Sequence, residues 1–264
     1  MAEAVQLSTA DKLIASLLLT AAGGFVDAVG YISLFEIFTA NMSGNSIHVG
    51  MYAGSFDLLG LRRPACAILS YVVGLVLTRI ALEIARRCGV WRIASLTLTT
   101  EVLLLLVFAR ATPPMYAGQI TDQSSLPYFA LIATLGFAMG VQTGTLTHLG
   151  PLTVYTTFVT GTLTKFSESF ARTLFWIHDS RQSGRSLSEV VGQLSSQGDA
   201  LSSALLLGVW ICYVAGAALG TVSKHHWELK AIYVPVSVLI ALVILDRIRP
   251  LAAAEEQHQS MSPS

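Results

Sequence analysis

The chain has 264 residues, of which 53% are hydrophobic and only 12% charged, and its mean hydropathy is +0.62. A soluble globular domain carries about 25% charged residues, so half of the charge of a soluble fold is missing. The 16 basic and 16 acidic residues cancel, which argues against nucleic acid as a partner and leaves the lipid bilayer as the expected surroundings.

A membrane-spanning helix needs roughly 20 mostly apolar residues. After a short polar tail, residues 1–12, the first such segment is Leu13–Leu34. Glu3, Asp11 and the single Lys12 ahead of it lack the basic start of a secretory leader, and the apolar run continues past Ala22, so a retained first helix is expected. Phe38–Phe56 follows, apolar but rich in small residues and interrupted by Ser43-Gly44-Asn45. Pro64–Ile84 and Ile93–Ala109 are the second and third full segments, and a loop is expected over 111–126. Tyr128–His148 is the fourth. Leu152–Phe170 is again rich in Ser and Thr and interrupted, here by Thr160-Gly161-Thr162. In the polar stretch 176–200, Ser186-Leu187-Ser188-Glu189 has the form of a capping box. Leu187, Val190, Val191 and Leu194 then recur at helical spacing, which predicts a short amphipathic surface helix. Leu201–Val222 and Ala231–Leu245 complete the six full segments, and the tail 248–264 is expected to be disordered.

The order of elements in 13–110 recurs in 127–247, which predicts two related halves. Gly24-Phe25 is echoed by Gly136-Phe137, and Phe38 with Asn41-Met42-Ser43-Gly44-Asn45 by Phe158-Val159-Thr160-Gly161-Thr162. His48 and Lys165 each stand four residues after the central glycine. The offset is 112 at the Gly-Phe pairs and 117 at the central glycines, so this alignment needs an insertion of five. The expected fold is an all-α polytopic membrane bundle of six transmembrane helices plus two broken or re-entrant glycine-containing segments. The alternative is eight spans. Three crossings per half make the repeats inverted, and four make them parallel. The two arrangements put equal numbers of Lys and Arg on the inner side, so the positive-inside rule does not choose between them. Both arrangements place both termini in the cytoplasm of a multi-pass plasma-membrane protein.

Ionisable residues deep in a membrane helix cost about 2.5–3.5 kcal/mol to insert and mark candidate sites. Counting back from a turn near Cys88–Trp91 sets Arg79 level with Glu101 in an antiparallel hairpin, which predicts a charge pair. The other reading of Glu101 is a proton- or cation-coupled carboxyl. Glu83 is expected in a charge ladder with Arg79, Arg86 and Arg87. Asp27 has no basic partner in its own helix, and its expected partners lie on opposing segments, His48 and Lys165 among them. It reads either as a functional group or as a polar clamp. Gly136, Gly140 and Gly144, and Gly216 with Gly220, have the spacing of close helix packing.

No HExxH, CxxC, G-x-S-x-G or Walker sequence occurs. No enzyme activity, metal or cofactor is therefore expected, and the three separated cysteines read as buried small apolar residues.

The stretch Gly24-Phe25-Val26-Asp27-Ala28-Val29-Gly30-Tyr31 followed by Asn41-Met42-Ser43-Gly44-Asn45 resembles the signature of the YoaK-like membrane proteins. Gly136-Phe137-Ala138-Met139-Gly140-Val141-Gln142 with Phe158-Val159-Thr160-Gly161-Thr162 is similar to the same family, whose likeness spans about Leu13 to Leu245. Thr143-Gly144-Thr145 departs from it, since an Asn is expected soon after Gln142. The resemblance implies a multi-span membrane fold and no substrate.

The expected function is transport of a small polar or anionic solute. The site would lie between the halves, lined by Asp27, Asn41, Ser43, Gly44, Asn45, His48, Gln142, Thr160, Gly161, Thr162 and Lys165. The alternative is a membrane scaffold or accessory protein that binds another membrane protein; a homodimer is compatible with either.

Overall fold

The computed structural model describes residues 9–88, 93–117, 123–145, 148–149, 152–153 and 158–248. Its helices are α1 Thr9–Ser33, α2 Met42–Gly54, α3 Leu58–Arg87, α4 Ile93–Ala117, α5 Leu126–Thr145, α6 Val159–Gln182, α7 Leu187–Leu194, α8 Gly198–Trp227 and α9 Tyr233–Ile248. A 3-10 turn, Glu228–Ile232, precedes α9, and a two-residue antiparallel ladder pairs β1 His148–Leu149 with β2 Leu152–Thr153. Five apolar stretches among the described residues are long enough to cross a membrane, and the last, Gly198–Ile248, contains both α8 and α9. The fold is that of an all-α polytopic membrane protein. Its outer surface fits that medium: Leu69, Val72, Val76 and Ile80 on α3 and Leu103 and Val107 on α4 point outward. The tail expected after 248 and most of the one before 12 fall outside the described residues.

Helix directions follow from which atoms meet. Ala21 lies against Gly216 and Phe25 against Gly220, so α1 runs parallel to α8. Ala67 lies against Gly136 and Tyr71 against Gly140, so α3 runs parallel to α5. Gln142 donates to the Leu19 carbonyl and Tyr128 to the Leu34 carbonyl, so α1 and α5 are antiparallel. Asp246 holds Ser95, and Arg110 donates to the Tyr233 hydroxyl, so α4 and α9 are antiparallel. The tightest packing is α1 on α8 and α3 on α5, whereas α1 and α5 meet at few points. α2 packs on α3 and α6 on α8.

The two tight pairs are glycine joints. A Cβ at Gly24 would strike the Tyr213 carbonyl, and one at Gly216 the carbonyl of Ala21. At the other joint, Gly140 faces the Tyr71 carbonyl and Gly74 that of Phe137. Without side chains between them the backbones approach closely, which is how helices associate where lipid offers no hydrophobic driving force.

Two expectations are corrected here. α3 and α4 are consecutive but barely touch, because α5 packs against both; the hairpin count that paired Arg79 with Glu101 assumed neighbours that the fold separates. The tripeptides Ser43-Gly44-Asn45 and Thr160-Gly161-Thr162 do not interrupt helices. They form the first turns of α2 and α6, which follow Asn41 and Phe158. The irregular backbone lies upstream, where Phe35 and Glu36 adopt positive φ values of 50° and 67°. With 13 residues α2 is about 20 Å long at 1.5 Å per residue, too short for a hydrocarbon core of roughly 30 Å. α6 has the length to cross but is not among the apolar stretches. Its buried stripe is polar, Thr162, Ser169, Thr173 and Ser180, while Leu163, Phe170, Leu174 and Phe175 face out.

The ends of helices also differ from the sequence reading. α4 continues to Ala117, eight residues beyond the predicted end. Cys88 is exposed and Cys66 and Cys212 are half-buried. The Glu83 ladder is present in the Arg87–Glu83 bridge at 2.7 Å.

The capping box that opens α7 is formed. Ser186 Oγ accepts from the Glu189 amide, and Glu189 Oε2 accepts from the Ser186 amide at 2.8 Å. These bonds hold the exposed Glu189 carboxyl below its ordinary range, the Ser186 backbone amide contributing most. The folded helix therefore prefers the ionised form. Its stabilisation is complete above the unfolded carboxyl value of about 4.3 and is lost as pH falls through the lower folded value. Protection of the Leu187–Leu194 amides from exchange, taken relative to the intrinsic rate at each pH, should fall on acidification below pH about 4, and Glu189→Gln should remove that fall. Equal pH dependence in the variant would place the cause elsewhere.

Candidate functional site

The predicted residues fall into three groups. The first surrounds Asp27. The segment between α1 and α2 leaves the helical path, and its buried backbone polar groups need partners outside a helix. Side chains supply them. Asp27 Oδ1 accepts from the amides of Thr39 and Ala40, each at 2.7 Å, and from the Thr39 hydroxyl at 3.1 Å. Its Oδ2 accepts from the Tyr213 hydroxyl at 2.7 Å. Asn45 clasps Phe38 on both sides, accepting from its amide at 3.1 Å and donating to its carbonyl at 2.7 Å. Tyr128 donates to the Leu34 carbonyl at 2.7 Å.

Asp27 is thus bound by four donors and no cation. The expected partners His48 and Lys165 are not on it. His48 lies between Phe38 and Tyr52, tilted against the first and edge-on to the second, each ring 6.4 Å away. Arg63 sits over Tyr52 and also bonds Gln123. Lys165 is exposed on α6, which packs on α8 rather than on α1. Asn41 accepts from the exposed Ser43 hydroxyl at 2.6 Å, beside the clamp rather than in it. Gly44 is required by the Phe38 ring that covers it, and Gly161 likewise by that of Phe158.

The second group is at the crossing of α1 and α5. Gln142 is fully buried; its Nε2 donates to the Leu19 carbonyl at 2.6 Å, while its Oε1 has no partner. Beside it Thr143 accepts from the Tyr71 hydroxyl at 3.0 Å. The structure therefore separates Gln142 from Asp27 by about eight residues of α1, or ~12 Å. The third group, Thr160, Gly161, Thr162 and Lys165, belongs to α6. α2 and α6 lie against different helices, so the eleven predicted residues do not line one chamber.

Two residues stand out that the sequence reading left unassigned or paired wrongly. Asp246 is fully buried and accepts from the Ser95 amide at 2.9 Å and from its hydroxyl, capping the start of α4. Glu101 is fully buried, and neither of its carboxyl oxygens has a hydrogen-bond partner.

Among the described residues, two surface grooves stand out. One passes between α3, α4 and α5 along Cys66, Ser70, Leu104 and Phe137. The other lies between the ends of α1 and α8, past Ile32, Thr221 and His226. No residue of the predicted site lines either.

A protein-family model described as "Protein of unknown function (DUF1275)" matches residues 15–245. The chain belongs to this DUF1275 family. It is also similar to the "UPF0700 transmembrane protein YoaK" of Bacillus subtilis (strain 168), with 26% identity over 240 residues, covering 90% of this chain and 95% of the relative. No solved structure matches. The likeness spans every helix described above except the two ends of the chain, so the clamp, the glycine joints and Glu101 all lie within the DUF1275 region.

Proposed function

We propose that this DUF1275 protein is a non-enzymatic transporter or permease for a small polar solute, with two inverted halves. α1–α4 form one half and α5, α6, α8 and α9 the other, each with three crossings and one helix, α2 or α6, that does not cross. The observation that carries this reading is the exchange of partners. The first long helix of each half is joined in parallel to the third of the other, α1 to α8 and α5 to α3, while the two first helices run antiparallel.

The hydroxyl contacts repeat the exchange. Tyr213 reaches Asp27 three residues after Gly24, and Tyr71 reaches Thr143 three residues after Gly140. Gly24 therefore corresponds to Gly140, one turn beyond the Gly136 that the sequence pairing chose. The offset becomes 116, against 117 at Gly44 and Gly161, and the five-residue insertion shrinks to one.

Inverted repeats whose helices form two tight units suit alternating access. Here α1 with α8 and α3 with α5 are glycine-welded, and the seam between the units is sparse along α1 and α5. The unpaired Gln142 oxygen on that seam is the polar group a solute would meet. In this reading Asp27 and Asn45 are the fixed clamp of the non-crossing segment. The protein would sit in the plasma membrane with both termini in the cytoplasm.

The test is solute flux into liposomes containing only this protein, with solutes chosen by thermal-shift screening. Wild type should carry a hit, and Gln142→Leu, of similar size, should keep its folded yield and lose the flux. A wild type that moves no solute that binds it would sink the transport reading and favour the scaffold, for which the groove beside α3 and α5 offers a surface.

A further inference from the structure

Glu101 contributes nothing to this packing that a leucine would not. It lies on the inward line of α4 with Leu98, Leu105 and Phe108, all fully buried. The Ser95–Asp246 and Arg110–Tyr233 contacts set the register of α4 against α9, which brings Glu101 level with Leu239 and Leu242. Both of those are buried and apolar. An ionised carboxylate left unpaired in such surroundings is very costly, so the form this packing accommodates is the neutral acid. A buried acid that makes no hydrogen bond does not stabilise the fold.

The charged and titratable groups around it are few. On α5 the one such group is Tyr128, whose hydroxyl is held by the Leu34 carbonyl. On α9 and the preceding turn they are Tyr233, Asp246, Arg247, Glu228 and Lys230. Asp246 is engaged by Ser95, six residues or about 9 Å back along α4. Arg110 lies nine residues ahead, at the Tyr233 hydroxyl. α3, which barely touches α4, carries Arg79 and Glu83.

We propose that Glu101 is a proton-binding site, loaded in this conformation and discharged when α4 parts from α5 or α9 far enough to admit water. The carboxyl O–H gives its proton to water on one side, and the carboxylate takes one back from water on the other; nothing else is consumed. As the coupling site of the transporter it rests on the function proposed above, but the exchange of its proton with water does not.

Dicyclohexylcarbodiimide, an apolar reagent that adds to protonated carboxyls, is the probe, with the modified peptide read by mass spectrometry on the full chain in liposomes. Glu101 should be labelled at mildly acidic pH, labelling should be lost as pH rises, and Glu101→Gln should abolish it. Glu101→Gln should also match the wild type in melting temperature, since the amide is isosteric with the neutral acid. An imposed pH gradient, followed with an entrapped pH dye and the solute present, should collapse with wild type and persist with the variant. If wild type moves no solute but Glu101 labels with this pH dependence, transport fails and the proton site stands. No labelling, or labelling independent of pH, overturns the site. A large drop in the variant's melting temperature also overturns it, by showing an ionised, paired carboxylate. Equal collapse of the gradient by variant and wild type overturns the coupling.

Discussion

Replacing Asp27 by alanine is expected to remove most of the folded protein. The substitution leaves the Thr39 and Ala40 amides and the Thr39 and Tyr213 hydroxyls without their acceptor. A buried donor left unsatisfied costs about 1–3 kcal/mol, and four of them reach the scale of a whole domain's stability, roughly 5–15 kcal/mol. Asp27→Asn is expected to behave differently. Its carbonyl oxygen still accepts from Thr39 and Ala40, and the Tyr213 hydroxyl can turn to accept from the new amide. Folded yield by size-exclusion chromatography in detergent should thus rank wild type, then Asp27→Asn close behind, then Asp27→Ala far below. Full yield for Asp27→Ala would show that the segment before α2 is held by something else. From sequence, Asp27 stood equally as a functional group; the four donors around it make the clamp the reading to test first.

A side chain at either glycine joint should be the other severe change. In Gly140→Ala the new Cβ would overlap the Tyr71 carbonyl and come within 2.9 Å of the Leu75 nitrogen. In Gly216→Ala it would overlap the Ala21 carbonyl. These obstacles are backbone, which cannot rotate away as a side-chain tip can, so each helix pair must separate. Overpacking of this kind costs about 1–3 kcal/mol per site. The two joints share no residues, so the double variant should lose about the sum. Gly50→Ala is the control: a Cβ there meets nothing within 4 Å, and alanine in a helix interior is favoured by roughly 0.5–1 kcal/mol. Thermal unfolding in detergent should show both joint variants well below wild type and Gly50→Ala at or above it. Joint variants as stable as the control would mean that the close approach of α1 to α8 and α3 to α5 is not what holds the bundle.

Much of the fold was legible because the bilayer imposes a one-dimensional rule. An apolar run of sufficient length becomes a helix whatever its neighbours are, so all six full segments could be placed. The capping box at Ser186 was readable for the same reason: both of its bonds close within four residues. The Gly136 and Gly216 series announced close packing, because a face without side chains has little other use in lipid.

What failed was each inference that needed to know which helices are neighbours. The hairpin count set Arg79 level with Glu101 on consecutive helices, but those helices barely touch. Asp27 was recognised as a buried charge, but its acceptors' partners, the Thr39 and Ala40 amides, are backbone groups that no residue type reveals.

Composition and the spacing of apolar and small residues thus determined by themselves that this is a polytopic helical membrane protein, and which faces of its helices pack closely. Only the tertiary structure decided that α5 separates α3 from α4, that Asp27 clamps a backbone segment, and that Glu101 is left without a partner. The physical reason is that hydrophobic length and helix formation are local properties of the chain. The satisfaction of a buried polar group depends on what the other helices bring to the same depth.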